Sequence, residues 1–88
     1  MIEPTIGRVV LFHPAPEVTH AAIVCHVWSS TCINLCVFNS NGIPQSETSV
    51  FLFQGEGERP SHKFAEWMPY QKGQAAKTEQ LEKLLKEA

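Results

Sequence analysis

The stretch Cys32-Ile-Asn-Leu-Cys-Val-Phe38, followed by Asn39-Ser-Asn-Gly42 and then by Thr48-Ser-Val-Phe-Leu-Phe-Gln54, decides the class of this protein. Both outer runs alternate along a period of two, as a strand with one buried face does. The Asn-Gly pair between them tolerates the positive φ that a right-twisted hairpin turn needs. A β-hairpin with locally set register is therefore expected here.

Similar short β-rich runs continue on both sides. Gly7 to Phe12 reads as a first strand, stopped by His13-Pro-Ala-Pro16 because proline removes ladder donors and fixes φ. Ala21 to Trp28 is a second strand whose two rows are both largely apolar, which predicts cover on both sides. Cys32 to Phe38 is the third. The fourth begins near Thr48, with Ile43-Pro44 still in the loop. Gln54 to His62 is a Gly-, Glu- and Pro-rich loop, the segment expected to be most mobile. Phe64 to Met68 is a fifth strand, closed by Pro69. These elements predict a mainly β fold: a small, five-stranded, antiparallel, SH3-like, partly closed barrel over residues 1–73. Beyond Gly73, Leu81, Leu84 and Leu85 form an apolar stripe at i, i+3 and i+4, and Glu79/Lys83 and Glu82/Lys86 are correctly ordered ion pairs. A short amphipathic α-helix is expected over 74–88.

The 88 residues hold one domain with a thin core, and two Trp and five Phe are a generous apolar supply for that size. Association into a homo-oligomer is the expected way to hide the surplus. Seven basic residues against nine acids, all Glu, supply no field for duplex nucleic acid. The three cysteines Cys25, Cys32 and Cys36 read as reduced thiols within strands. Cys32 and Cys36 share a face about 13 Å apart, too far for a disulfide. Met1 to Phe12, with Glu3, Pro4 and Arg8, lacks the pattern of a signal peptide, and no apolar run spans a bilayer. A cytoplasmic protein without membrane contact is expected.

The chemistry-bearing motifs are few. Cys25 and His26 point to opposite faces, and Cys32-x3-Cys36 lies on a strand rather than a knuckle, so no metal site is predicted. The thiols lack the helix N-terminus or cationic neighbour that activates a nucleophile, and no glutamates are paired by spacing for hydrolysis. Gly55-Glu-Gly57 is not followed by a helix that could hold phosphate. Neither a cofactor nor a catalytic residue is predicted, and the protein is expected not to be an enzyme.

The run from Arg59 to Gly73 stands apart. It gathers Arg59, Lys63 and Lys72, His62, Gln71, and the two aromatics Trp67 and Tyr70, which carry polar handles. Aromatic faces beside cationic donors suit a nucleotide-like anion, which needs stacking for its base and charge for its phosphate. Trp67 and Tyr70 are the stacking candidates, Arg8, Arg59 and Lys72 the phosphate ligands, and His62 and Gln71 the polar contacts. The competing structural expectation puts Trp67 in the core and pairs Arg8 with an acid such as Glu66, with His13 a loop-edge residue.

Pro4-Thr-Ile-Gly-Arg-Val-Val10 and Glu66-Trp-Met-Pro-Tyr-Gln71, with the Val-Phe-Asn-Ser-Asn-Gly turn between them, resemble a group of small proteins common in tailed-phage and prophage genomes. The resemblance covers about the first seventy residues and implies a source rather than a site. By analogy of size and composition, a phage origin implies an oligomeric sponge that sequesters a nucleotide-derived messenger of bacterial defence without turning it over. Its sites are expected between subunits, since a thin barrel has no deep cavity. The alternative is a protein-interaction module that docks on a phage or host protein.

Overall fold

The computed structural model describes residues 2–73 together with Leu81 and Leu85. Five strands, β1 (Val9–His13), β2 (His20–Ser29), β3 (Cys32–Phe38), β4 (Pro44–Phe53) and β5 (Phe64–Glu66), close into a barrel. Residues 69–73 are helical. The helix expected over 74–88 lies largely outside the described residues; within it Leu81 and Leu85 are helical and exposed. Among the described residues no helix is long and apolar enough to cross a membrane.

The β3–β4 hairpin follows its sequence pattern. Buried and half-buried residues alternate without a break along β3. Asn39 Oδ1 accepts hydrogen bonds from the amides of Asn41 (2.9 Å) and Ile43 (3.1 Å), and Gly42 takes φ +77°. This side-chain brace explains why Asn39 closes the loop. The strand resumes earlier than expected, at Pro44, which pairs with Phe38. A proline is tolerated as the first residue of a strand, where no ladder donor is needed from it.

Four neighbouring pairs are antiparallel, but β4 and β5 run parallel, Leu52 beside Ala65 and Phe53 beside Glu66. The sheet is thus mixed, and the barrel closed rather than partly closed. The cause is the connection after Phe53. It does not reverse as a hairpin but carries the chain back along the barrel, beginning at Gly55 with φ +88°. Gln54 anchors its start. Its Nε2 donates to the carbonyls of Ile2 and Ser30 (both 2.8 Å), while its Oε1 accepts from Trp67 Nε1 (3.1 Å) and the Ile2 amide (3.2 Å).

Val10, Ile33, Leu52 and Trp67 are among the side chains filling the barrel, each 1% exposed or less. Burying each large side chain contributes roughly 1.5–3 kcal/mol. Strand β2 is covered on one side only. Ala22 and Val24 are buried, while Ile23, Cys25 and Trp28 are exposed. A closed barrel has a single interior, so the second apolar row of β2 is left outside.

Asn34 marks where the barrel bends. Opposite it, β2 carries the extra residue Cys25 and β4 the extra pair member Thr48 or Ser49. Ser49 has φ +52°, uncommon for a residue with a Cβ, and its amide donates to Asn34 Oδ1 at 2.8 Å. Bulges on both flanking strands add local twist, which helps five short strands close. A second irregularity in β2 leaves Trp28 unpaired between Val27 and Ser29.

Candidate functional site

Strand β5 is three residues long and lies between β1 and β4. Its inward side is the barrel core. On its outward side Phe64 and Glu66 sit beside His13 and Leu11 of β1, and Phe53 of β4 flanks Glu66. Residues 54–63 bring Arg59 onto this face, and residues 69–73 bring Lys72.

Glu66 is the centre. Arg59 Nη2 lies 2.6 Å and His13 Nε2 2.7 Å from Oε2, and Lys72 Nζ lies 3.7 Å from Oε1. Phe64 forms the floor, with its ring centroid 4.8 Å from that of His13 and 5.0 Å from the Arg59 guanidinium carbon. Phe53 packs edge-on against Phe64. Despite these short distances, neither His13 Nε2 nor Glu66 Oε2 has a hydrogen-bond partner of good geometry. The Arg59 and Lys72 contacts are close charge pairs. Burial pushes the Glu66 carboxyl pKa up, but the donors and charge of Arg59, and then those of His13, outweigh it and hold the group below the usual carboxylate range.

The arrangement limits its chemistry. His13 is 4% exposed, and its Nδ1 faces the Val18 carbonyl at 2.8 Å and Thr19 Oγ1 at 3.3 Å. Since Nε2 faces Glu66, neither ring nitrogen is open to a substrate, as a general acid or base must be. Arg59 and Lys72 differ: their side chains are 49% and 44% exposed, so each retains donors facing solvent. Two such cations converge on one carboxylate.

The other candidates are distributed unevenly. Tyr70 is 69% exposed, two residues before Lys72. Gln71 is engaged structurally, its Oε1 accepting from the Met68 amide and its Nε2 donating to the Val9 carbonyl, both at 2.8 Å. Trp67 is 1% exposed within the barrel core, and no ring face is open for a base. His62 is exposed in the loop, and Arg8 Nε donates to Thr5 Oγ1 at 3.3 Å. Arg59, not Arg8, is the arginine paired with Glu66, and His13 ends β1 at the edge of the loop as expected but is buried there. The roles of His13 and Gln54 are not legible in the sequence: His13 meets Glu66 through the β1–β5 pairing and Gln54 reaches Trp67 through the parallel β4–β5 pairing, and only the tertiary fold creates either.

Among the described residues no group of three or more His, Cys, Asp or Glu is placed to hold a metal ion. A second feature lies on the outer face of β2, β3 and β4. There a shallow pocket of about 340 Å³ is lined by residues including Cys25, Asn34, Cys36 and Ser46. Compared with protein-family models, with curated proteins and with solved structures, the chain matches none.

Proposed function

We propose that the protein is a non-enzymatic binding protein that sequesters a small nucleotide-derived anion. The five short strands support an SH3-like barrel as the scaffold, and a phage origin supports, by analogy of size and composition, a messenger of bacterial defence as the ligand class and the host cytoplasm as the place of action. The observation that carries the reading is the convergence of Arg59 and Lys72, both half-exposed, on the single carboxylate of Glu66. A phosphate gains charge-assisted hydrogen bonds from the free donors of Arg59, whose planar fork suits two oxygens at once. Glu66 keeps both cations in place beforehand, which lowers the ordering cost of binding. Stacking falls to Tyr70, whose ring is open, while Trp67 serves the fold.

The test is calorimetric titration of the full chain with a panel of cyclic dinucleotides and ADP-ribose derivatives, followed by mass spectrometry of the ligand recovered after heating. Binding of one class, its recovery intact, and a loss of about tenfold or more in Arg59→Ala/Lys72→Ala support sequestration. Failure of every nucleotide to bind overturns it, and recovery of a cleaved product replaces it with a hydrolase. The second reading, a module that docks on a phage or host protein, draws support from the exposed Trp28 and Phe51, 63% and 46% accessible.

A further inference from the structure

We propose that Cys25 and Cys36, on the outer face of β2 and β3, form a two-thiolate site for one soft, thiophilic cation of the Cu(I) or Ag(I) type. The inference does not rest on the proposed ligand, because Cys36 lies in β3, which neighbours neither β1 nor β5 in the barrel.

The bulge in β2 creates the pair. Val24 faces Leu35 and His26 faces Asn34, so Cys25 is the extra residue between them, free of the ladder. It keeps its place in the outer row of β2 beside Ile23, whose partner across the ladder is Cys36. The bulge also turns His26 outward, against the strict alternation expected of β2, and His26 packs on Trp28. The thiols are thus left to each other.

The Cys25 sulfur is aimed at its partner. Val24 gives its amide to the Arg8 carbonyl and its carbonyl to the Gly7 amide, both on the β1 side. In an antiparallel ladder the polar groups of Ile23 then point the other way, toward Cys36. Cys25 Sγ donates to that Ile23 carbonyl at 3.5 Å, which places the sulfur on the Cys36 side of its own strand. Both cysteines are free thiols, and both line the same shallow pocket.

Spacing and softness choose the ligand. Diagonal neighbours on adjacent strands stand ~7 Å apart, beyond the Cβ separation of about 4 Å that a disulfide needs. A linear ion spans more, because two metal–thiolate bonds of ~2.3 Å hold the sulfurs ~4.6 Å apart. Zinc takes at least three protein ligands, and among the described residues no group of three His, Cys, Asp or Glu is so placed. Calcium and magnesium take oxygen ligands, chiefly carboxylates, and the pocket lining holds no carboxylate. Thiolates alone select ions of the Cu(I) type. On binding, each thiol gives its proton to solvent and an electron pair to the metal, and nothing changes oxidation state.

Native mass spectrometry of the reduced full chain, titrated with Ag(I) against excess glutathione as a single-thiol competitor, tests the site. The wild type should retain one Ag(I) per chain, and so should Cys32→Ser, whose thiol lies about 13 Å from Cys36 along β3. Cys25→Ser and Cys36→Ser should each weaken retention about 100-fold, as when a chelating pair is cut to one thiol. Iodoacetamide mapping of the folded wild type needs no variant: Ag(I) should shield Cys25 and Cys36 and leave the reactivity of Cys32 unchanged. A wild-type chain that keeps no Ag(I) against glutathione overturns the inference. So does a Cys32→Ser variant weakened like the other two, or an ion held between two chains.

Discussion

The two outer walls of this barrel have opposite chemistry. Around β5 the wall carries a carboxylate, a histidine, an arginine and a lysine, and the chain's own residues 54–63 and 69–73 lie over it. Along β2, β3 and β4 the wall carries almost no charge, and exposes Ile23, Trp28 and Phe51. The difference follows from local chain economy. A three-residue strand leaves a short outer face that one loop covers, whereas strands of ten, seven and ten residues leave a face too wide for any nearby loop. Polar groups under a loop must be satisfied within the chain, and apolar groups on an open sheet can wait for another molecule.

The largest expected effect comes from undoing the cover of the first wall at its origin. Gln54→Ala removes four hydrogen bonds and leaves Trp67 Nε1 unpaired in the core. It should cost about 3 kcal/mol, read as a lower midpoint in urea unfolding with little change in slope. Glu66→Gln comes next, at about 1–2 kcal/mol near neutral pH. This is less than a fully buried ion pair costs, because Arg59 and Lys72 are half-exposed and can return to water.

The same variant carries a pH signature. The folded carboxyl of Glu66 is held below its ordinary value, so the stabilisation it gives is present above the unfolded value of about 4.3. That stabilisation is lost as pH falls through the folded value. Wild type and Glu66→Gln should therefore differ most above pH ~4.5 and converge in more acid solution. Urea midpoints compared across pH would show it, and a gap that widens on acidification would contradict the charge pairing. Smaller still is Arg59→Ala, expected to cost about 0.5–1 kcal/mol through lost pairing with Glu66 and lost cover of Phe64. Trp28→Ala should change the stability of the chain by no more than ~0.5 kcal/mol, because the ring is exposed.

What could be read from the residues was whatever depends on near neighbours. Asn39 to Gly42 form a turn through contacts within five residues, so the hairpin was legible. The period of β3 likewise needs no tertiary knowledge. Pro44 misled because proline ends most strands, yet it is admitted at a strand's first position, and the expected strand start shifted to Thr48. The antiparallel expectation failed at β4–β5, where direction is set by a ten-residue connection rather than by a local pattern. Trp67 and Tyr70 are three residues apart and alike in composition. The end of β5 turns one into the barrel, and the helical turn that follows leaves the other in solvent.

Fluorescence quenching of the full chain by acrylamide puts the contrast between exterior and interior to its most direct test. The protein has two tryptophans, Trp28 exposed on the outside of β2 and Trp67 buried inside the barrel. The account predicts that one half of the tryptophan population is accessible to quencher and the other half protected, with the accessible half lost in Trp28→Phe. Two tryptophans quenched alike would contradict it.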